Sequence, residues 1–132
     1  MNSLGCTPEL SFTGTPTITG PDDFRIRGEN LVNKQFGLMF FGLNQANTPW
    51  QGGTLCASGT LIRFGVKMTG GSGPPASNCN GVLTQKFHQS VFINRGLVPG
   101  TNVYAQMWYR DPNHVDGTGV GITDAVAFTV CP

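Results

Sequence analysis

Val103-Tyr104-Ala105-Gln106-Met107-Trp108-Tyr109-Arg110 is the stretch that decides the fold. Val103, Ala105, Met107 and Tyr109 alternate with Tyr104, Gln106, Trp108 and Arg110, which sets an apolar face against a mixed one. That period of two belongs to a half-buried strand, not to a helix. The same period returns near the end of the chain, where Ala125, Ala127 and Thr129 alternate with Val126, Phe128 and Val130. Upstream, Gly37-Leu38-Met39-Phe40-Phe41-Gly42-Leu43 is apolar at both parities. Successive side chains of a strand point to opposite faces, so this segment reads as a central strand covered on both sides, with Phe40 and Phe41 facing apart.

Leu10-Ser11-Phe12, Thr17-Ile18-Thr19, Phe24-Arg25-Ile26-Arg27 and residues 60–68 and 87–93 bring the set to about seven or eight short strands. Turn residues separate them at Gly14-Thr15-Pro16, Gly20-Pro21-Asp22-Asp23, Pro99-Gly100 and Asp116-Gly117. The Gly/Pro/Ser-rich residues 70–78 form the longest loop. No segment carries a helical stripe, and nine prolines with nineteen glycines disfavour long helices. The expected fold is all-β, an antiparallel β-sandwich in preference to a barrel, with residues 1–132 forming one domain.

Four cysteines without metal-type spacing, Cys6, Cys56, Cys79 and Cys131, suggest a disulfide-stapled domain from an oxidising compartment. Neither His88 nor His114 lies near a cysteine in sequence, so zinc is the weaker reading. Four cysteines allow three pairings. Cys6–Cys131 with Cys56–Cys79 is expected, because terminal strands of a sandwich often lie side by side and the middle pair flanks one excursion. Closing the terminal pair would be worth ~4–5 kcal/mol in the chain-entropy model.

Charged residues make up 11% of the chain and the net charge is +1, so there is no electrostatic footprint for nucleic acid or anionic lipid. No apolar run is long enough for a membrane-spanning helix. The first residues also lack the basic start and apolar core of a signal peptide. The expectation is therefore a module of a longer secreted or cell-surface protein, its export signal lying upstream.

Asn2-Ser3-Leu4-Gly5-Cys6, Phe12-Thr13-Gly14-Thr15-Pro16, Gly37-Leu38-Met39-Phe40-Phe41-Gly42 and Gln51-Gly52-Gly53-Thr54-Leu55-Cys56 occur in this order. Ala105-Gln106-Met107-Trp108-Tyr109-Arg110-Asp111-Pro112 and Thr123-Asp124-Ala125-Val126-Ala127-Phe128-Thr129-Val130-Cys131-Pro132 follow. Together they resemble a largely uncharacterised disulfide-containing β module of planctomycete- and myxobacterial-type secreted and cell-surface proteins, often found at their C-terminal ends. The chain departs from it in lacking a further cysteine before the Asn-Ser-Leu-Gly-Cys run and in Ala57-Ser58-Gly59-Thr60. The resemblance implies secretion and a compact accessory role, and it carries over no catalytic residue.

Tyr104, Gln106, Trp108 and Arg110 fall on one parity of a strand and, with Trp50 in its Thr48-Pro49-Trp50-Gln51-Gly52-Gly53 loop, compose a candidate sugar-binding platform. Aromatic faces would cover the apolar side of a pyranose while amide and guanidinium take its hydroxyls. The competing reading makes Trp108 a core residue and folds Trp50 over a sheet edge. Asp111, Asn113 and Asp116 crowd oxygen ligands into one loop, with calcium as the cation they would take. Their spacing is not that of an EF-hand, and turn-forming Asx and Gly residues explain the same loop.

Catalytic chemistry is thinly provided. The chain holds seven acids, most of them in turns, and no Gly-x-Ser-x-Gly elbow. The expected function is a non-catalytic extracellular module that binds polysaccharide. The alternatives are a structural domain for cell-surface anchoring or protein–protein assembly and, more weakly, a hydrolase or metal-dependent enzyme.

Overall fold

A computed structural model describes residues 4–50, 53–58, 61–71, 79–111, 117 and 119–131. Within these, the strands are β1 (Glu9–Thr13), β2 (Arg25–Leu31), β3 (Phe36–Gly42), β4 (Asn44–Trp50), β5 (Gly53–Ser58), β6 (Ile62–Arg63), β7 (Lys67–Met68), β8 (Gly81–Lys86), β9 (Asn102–Arg110), β10 (Val120–Ile122) and β11 (Val126–Thr129). One short helix, α1 (Gln89–Asn94), lies between β8 and β9. All pairings between named strands are antiparallel.

The strands form three layers. A three-stranded sheet runs β1-β2-β8, and a larger middle sheet runs β10-β9-β3-β6, with β7 added to β3 and β11 to β9. The third layer is the β4–β5 hairpin. The main core fills the space between the first two sheets. Ile26, Leu31 and Leu83 meet Met39, Phe41, Val103, Ala105, Met107 and Tyr109 there. All four apolar-parity residues of β9 are buried in this core, as the alternation requires.

Phe87 organises the aromatic part of the core. Its ring centroid lies 5.2 Å from Phe41, 5.0 Å from Phe64, 5.4 Å from Phe92 and 5.3 Å from Phe128. Two glycines let the sheets approach. A Cβ at Gly28 would stand 2.5 Å from Met107 Sδ, and one at Gly37 2.7 Å from Leu83 Cδ1.

Phe40 points the other way from Phe41. With Ala57 and Ile122 it forms a second, smaller buried cluster, against which Leu38, Leu55, Leu61, Tyr104 and Trp108 pack. The middle sheet is therefore covered on both faces, by the β1-β2-β8 sheet on the inner face and by the hairpin on part of the outer one. That arrangement explains why β3 is apolar at both parities.

The strand count exceeds the expected seven or eight, partly because residues 60–68 supply two separate two-residue strands. The hairpin and β8 also come from segments without clear alternation. Residues 17–19 contribute only an isolated bridge from Thr17 to Cys131.

Residues 87–93, expected as a strand, hold α1 instead. His88 at its N-cap makes no side-chain cap bond. Asp22 supplies the cap, its Oδ1 accepting the Gln89 N–H at 3.1 Å across a separation of 67 residues. A six-residue helix capped from so far away leaves no local signature.

The disulfide pairing also differs from expectation. Cys6 is bonded to Cys79, with Cα atoms 6.5 Å apart, and Cys56 and Cys131 form no disulfide. Strand order explains this. β1 and β8 flank β2 on either side, with Glu9 opposite Glu29 and Gly81 opposite Leu31. The residues that precede both strands therefore meet across the end of β2.

Cys131 docks at the other end of β1, where its N–H donates to the Pro16 carbonyl at 2.7 Å. A five-residue strand spans about 17 Å, far beyond disulfide reach of Cys6. Cys56 lies in the hairpin, on the opposite side of the middle sheet from β8.

Candidate functional site

Tyr104, Gln106, Trp108 and Arg110 share the outer face of β9, as the alternation predicts, but the hairpin divides them. The Cys56 N–H donates to Gln106 Oε1 at 2.7 Å, and Gln106 Nε2 donates to the Thr123 carbonyl at 2.7 Å. The Gln106 side chain is thus completely buried and clasps the hairpin and the β10–β11 link onto β9. A ligand on the surface cannot reach it, so the expectation that Gln106 contacts a sugar is corrected. One hydrogen bond accepted and one donated by the side-chain amide suit a polar group buried between layers. Tyr104 is half-buried in the same covered zone.

Trp108 and Arg110 lie towards the other end. Trp108 is half-buried, Arg110 is exposed, and the Arg110 guanidinium carbon sits 5.5 Å from the centroid of the Trp108 ring, within cation–π range. Leu38 is directly opposite Trp108 in the neighbouring strand, and Phe36 lies two residues further along the same face of β3. Met68 is opposite Phe36 in β7.

Directly paired residues of an antiparallel ladder share a face. Phe36, Leu38, Met68, Trp108 and Arg110 therefore form one continuous outer patch. Phe36 is 56% exposed and Met68 49% exposed, so the hairpin does not cover this end of the face.

The hairpin runs along β9. Its Ser58 end adjoins Gly42, the partner of Tyr104, and Cys56 is bound to Gln106. Its turn end, where Trp50 pairs with Gly53, therefore extends towards the side of Trp108. The Trp50 side chain lies outside the described residues.

The alternation within β9 places Trp108 and Arg110 on this patch, but it does not bring Phe36 and Met68 beside them. The available signal was the position of Phe36 at the parity of Leu38 and Phe40. That its cover stops short depends on the hairpin.

Asp111 is fully buried at the foot of the β9–β10 connection, and its N–H donates to the Gly119 carbonyl at 2.9 Å. Asn113 and Asp116, the other two expected calcium ligands, lie outside the described residues, as does His114. Among the described residues no cluster of three or more His, Cys, Asp or Glu side chains is arranged to hold a metal. His88 Nδ1 lies 3.8 Å from Asp22 Oδ2, beside the carboxylate oxygen that caps α1.

No helix among the described residues is long and apolar enough to cross a membrane. The chain matches no family model, no curated protein and no solved structure.

Proposed function

We propose that this protein is a non-catalytic extracellular binding module whose ligand, a polysaccharide, lies across the uncovered end of the middle sheet's outer face. The observation that carries the reading is the juxtaposition of exposed Phe36 with Trp108 and the Arg110 guanidinium over its ring. The exposed Phe36 ring supplies flat apolar area for the face of a sugar ring, and Arg110, held over the Trp108 ring, supplies donors for hydroxyls. A strand platform holds these groups without ordering a loop, which lowers the entropic cost of binding. The Cys6–Cys79 disulfide is compatible with an extracellular location.

The test is retention of the purified chain on a panel of insoluble polysaccharides, with calcium and with chelator. Specific retention, lost in Trp108→Ala, is the expected result. Chelator sensitivity would bring the loop beginning at Asp111 into the site. Retention on none of the polysaccharides, or retention indifferent to Trp108→Ala, sinks the reading.

A second reading is a protein-assembly domain. It is supported by the inward turn of Gln106, which leaves the patch with Phe, Leu, Met, Trp and Arg side chains, a composition common at protein interfaces. Self-association that rises with concentration and is weakened by Phe36→Ala, with no polysaccharide retention, would favour it.

A further inference from the structure

The β1-β2-β8 sheet has two edges, and among the described residues only one of them is covered. At β8, the Val82 N–H donates to the Thr69 carbonyl at 2.7 Å, and Lys67 Nζ donates to the Thr84 carbonyl at 2.9 Å. Residues 67–69 therefore occupy that edge. On the far side of the sheet, β1 pairs with β2 and, among the described residues, with no other strand. Its five residues run in unbroken register, with no proline, lysine or bulge to interrupt them. Such an edge presents a regular row of backbone donors and acceptors for another strand.

An incompletely covered aromatic ring stands beside this edge. Phe12 and Leu10 are opposite the buried Ile26 and Gly28, so both belong to the core-facing side of the sheet. Leu10 packs against the core, but Phe12 is 59% exposed. The other side of the sheet carries Glu9, Ser11 and Thr13 opposite Glu29, Arg27 and Arg25. Its two ends differ in charge, with Glu9 and Glu29 at one and Arg25 at the other. Arg27 is joined to Glu29, whereas Arg25 takes part in neither ion pair among the described residues.

From this geometry we infer that β1 is a dimerisation edge, and that its occupant is the β1 of a second copy of this chain. The two strands pair antiparallel about a two-fold axis at Ser11. That register sets Ser11 against its own counterpart, Leu10 against Phe12 and Glu9 against Thr13, the last two contacts occurring twice by symmetry. The Leu10–Phe12 contact covers the exposed ring. Glu9 comes within two strand spacings, about 10 Å, of the second copy's Arg25, within joint reach of two long side chains. The acidic end of each edge thus meets the basic end of the other. The Cys6–Cys79 bond tethers the chain just ahead of β1, so the edge needs little ordering before it pairs. This surface lies on a different sheet from the Phe36–Trp108 patch and does not depend on it.

The experiment follows self-association of the full chain by sedimentation equilibrium from micromolar to millimolar concentration. It compares the parent, Ser11→Lys, Ser11→Asp and an equimolar mixture of the two variants. The expected result is a reversible dimer, weakened roughly tenfold or more in either variant alone, because like charges then face each other across the axis. The mixture should recover association, since lysine then opposes aspartate. Phe36→Ala should leave the dimer unchanged. Ser11 is exposed, so both variants are expected to fold, and thermal unfolding verifies that.

The inference is overturned if the parent stays monomeric at millimolar concentration, if Ser11→Lys dimerises as tightly as the parent, or if the mixture recovers nothing. Association kept in Ser11→Lys but lost in Phe36→Ala also overturns it, and assigns the contact to the Phe36–Trp108 patch instead.

Discussion

Phe41 and Phe40 are adjacent in β3, yet they belong to different parts of the molecule. Phe41 enters the main core, where its ring lies 5.8 Å from Phe64 and 5.2 Å from Phe87. Phe40 turns outward into a small cluster closed by one hairpin. The inner face of the middle sheet is matched by a whole second sheet, so the alternate residues of β9 that face it are all buried. Among the described residues the outer face is matched by two strands, β4 and β5, while Phe36 and Met68 on the same face stand in solvent. Folding requires the inner face and the covered part of the outer one. The uncovered end contributes little to stability, which leaves it available for binding.

Substitutions can break this comparison. The largest effect is expected at Phe41→Ala, which should lower stability by about 3–5 kcal/mol in urea unfolding. Phe40→Ala should cost clearly less, because the hairpin above it can settle into the space. Equal losses would mean that the two faces are energetically alike.

Opening the Cys6–Cys79 loop, with a sequence separation of 73, by Cys6→Ser/Cys79→Ser should cost about 4 kcal/mol in the chain-entropy model. Because that bond lies at the β1-β2-β8 sheet, polysaccharide retention by the folded fraction should not change. Altered retention would show that the two sides of the molecule are coupled.

Gln106→Leu removes partners from the Cys56 N–H and the Thr123 carbonyl, and should destabilise by about 2–3 kcal/mol. Hydrogen exchange should show the Cys56 amide losing more protection than the amides of β3. Uniform loss would indicate that the hairpin and the middle sheet open as one unit.

The smallest effect on stability is expected at Phe36→Ala, within about 0.5 kcal/mol, because the ring is already exposed. That variant should nevertheless reduce polysaccharide retention. A stability loss near that of Phe40→Ala would show that Phe36 is held by packing.

The sequence by itself determined the all-β class, the inner face of β9 and the placement of β3 between two layers. These follow from the alternation of neighbouring side chains, a local property of any strand. It also placed Trp108 and Arg110 on a common face, since residues two apart in a strand cannot do otherwise.

Only the tertiary structure decided that Gln106 is enclosed, because the hairpin that covers it comes from residues 44–58 and leaves no mark on β9. It decided the Cys6–Cys79 bond through the flanking of β2 by β1 and β8, and it supplied the cap of α1 from Asp22. It also brought Met68 beside Phe36 and left both uncovered. Each of these depends on which distant segments are neighbours and how far a covering layer extends. Strand order and register set those features, and periodicity within a single strand does not encode them.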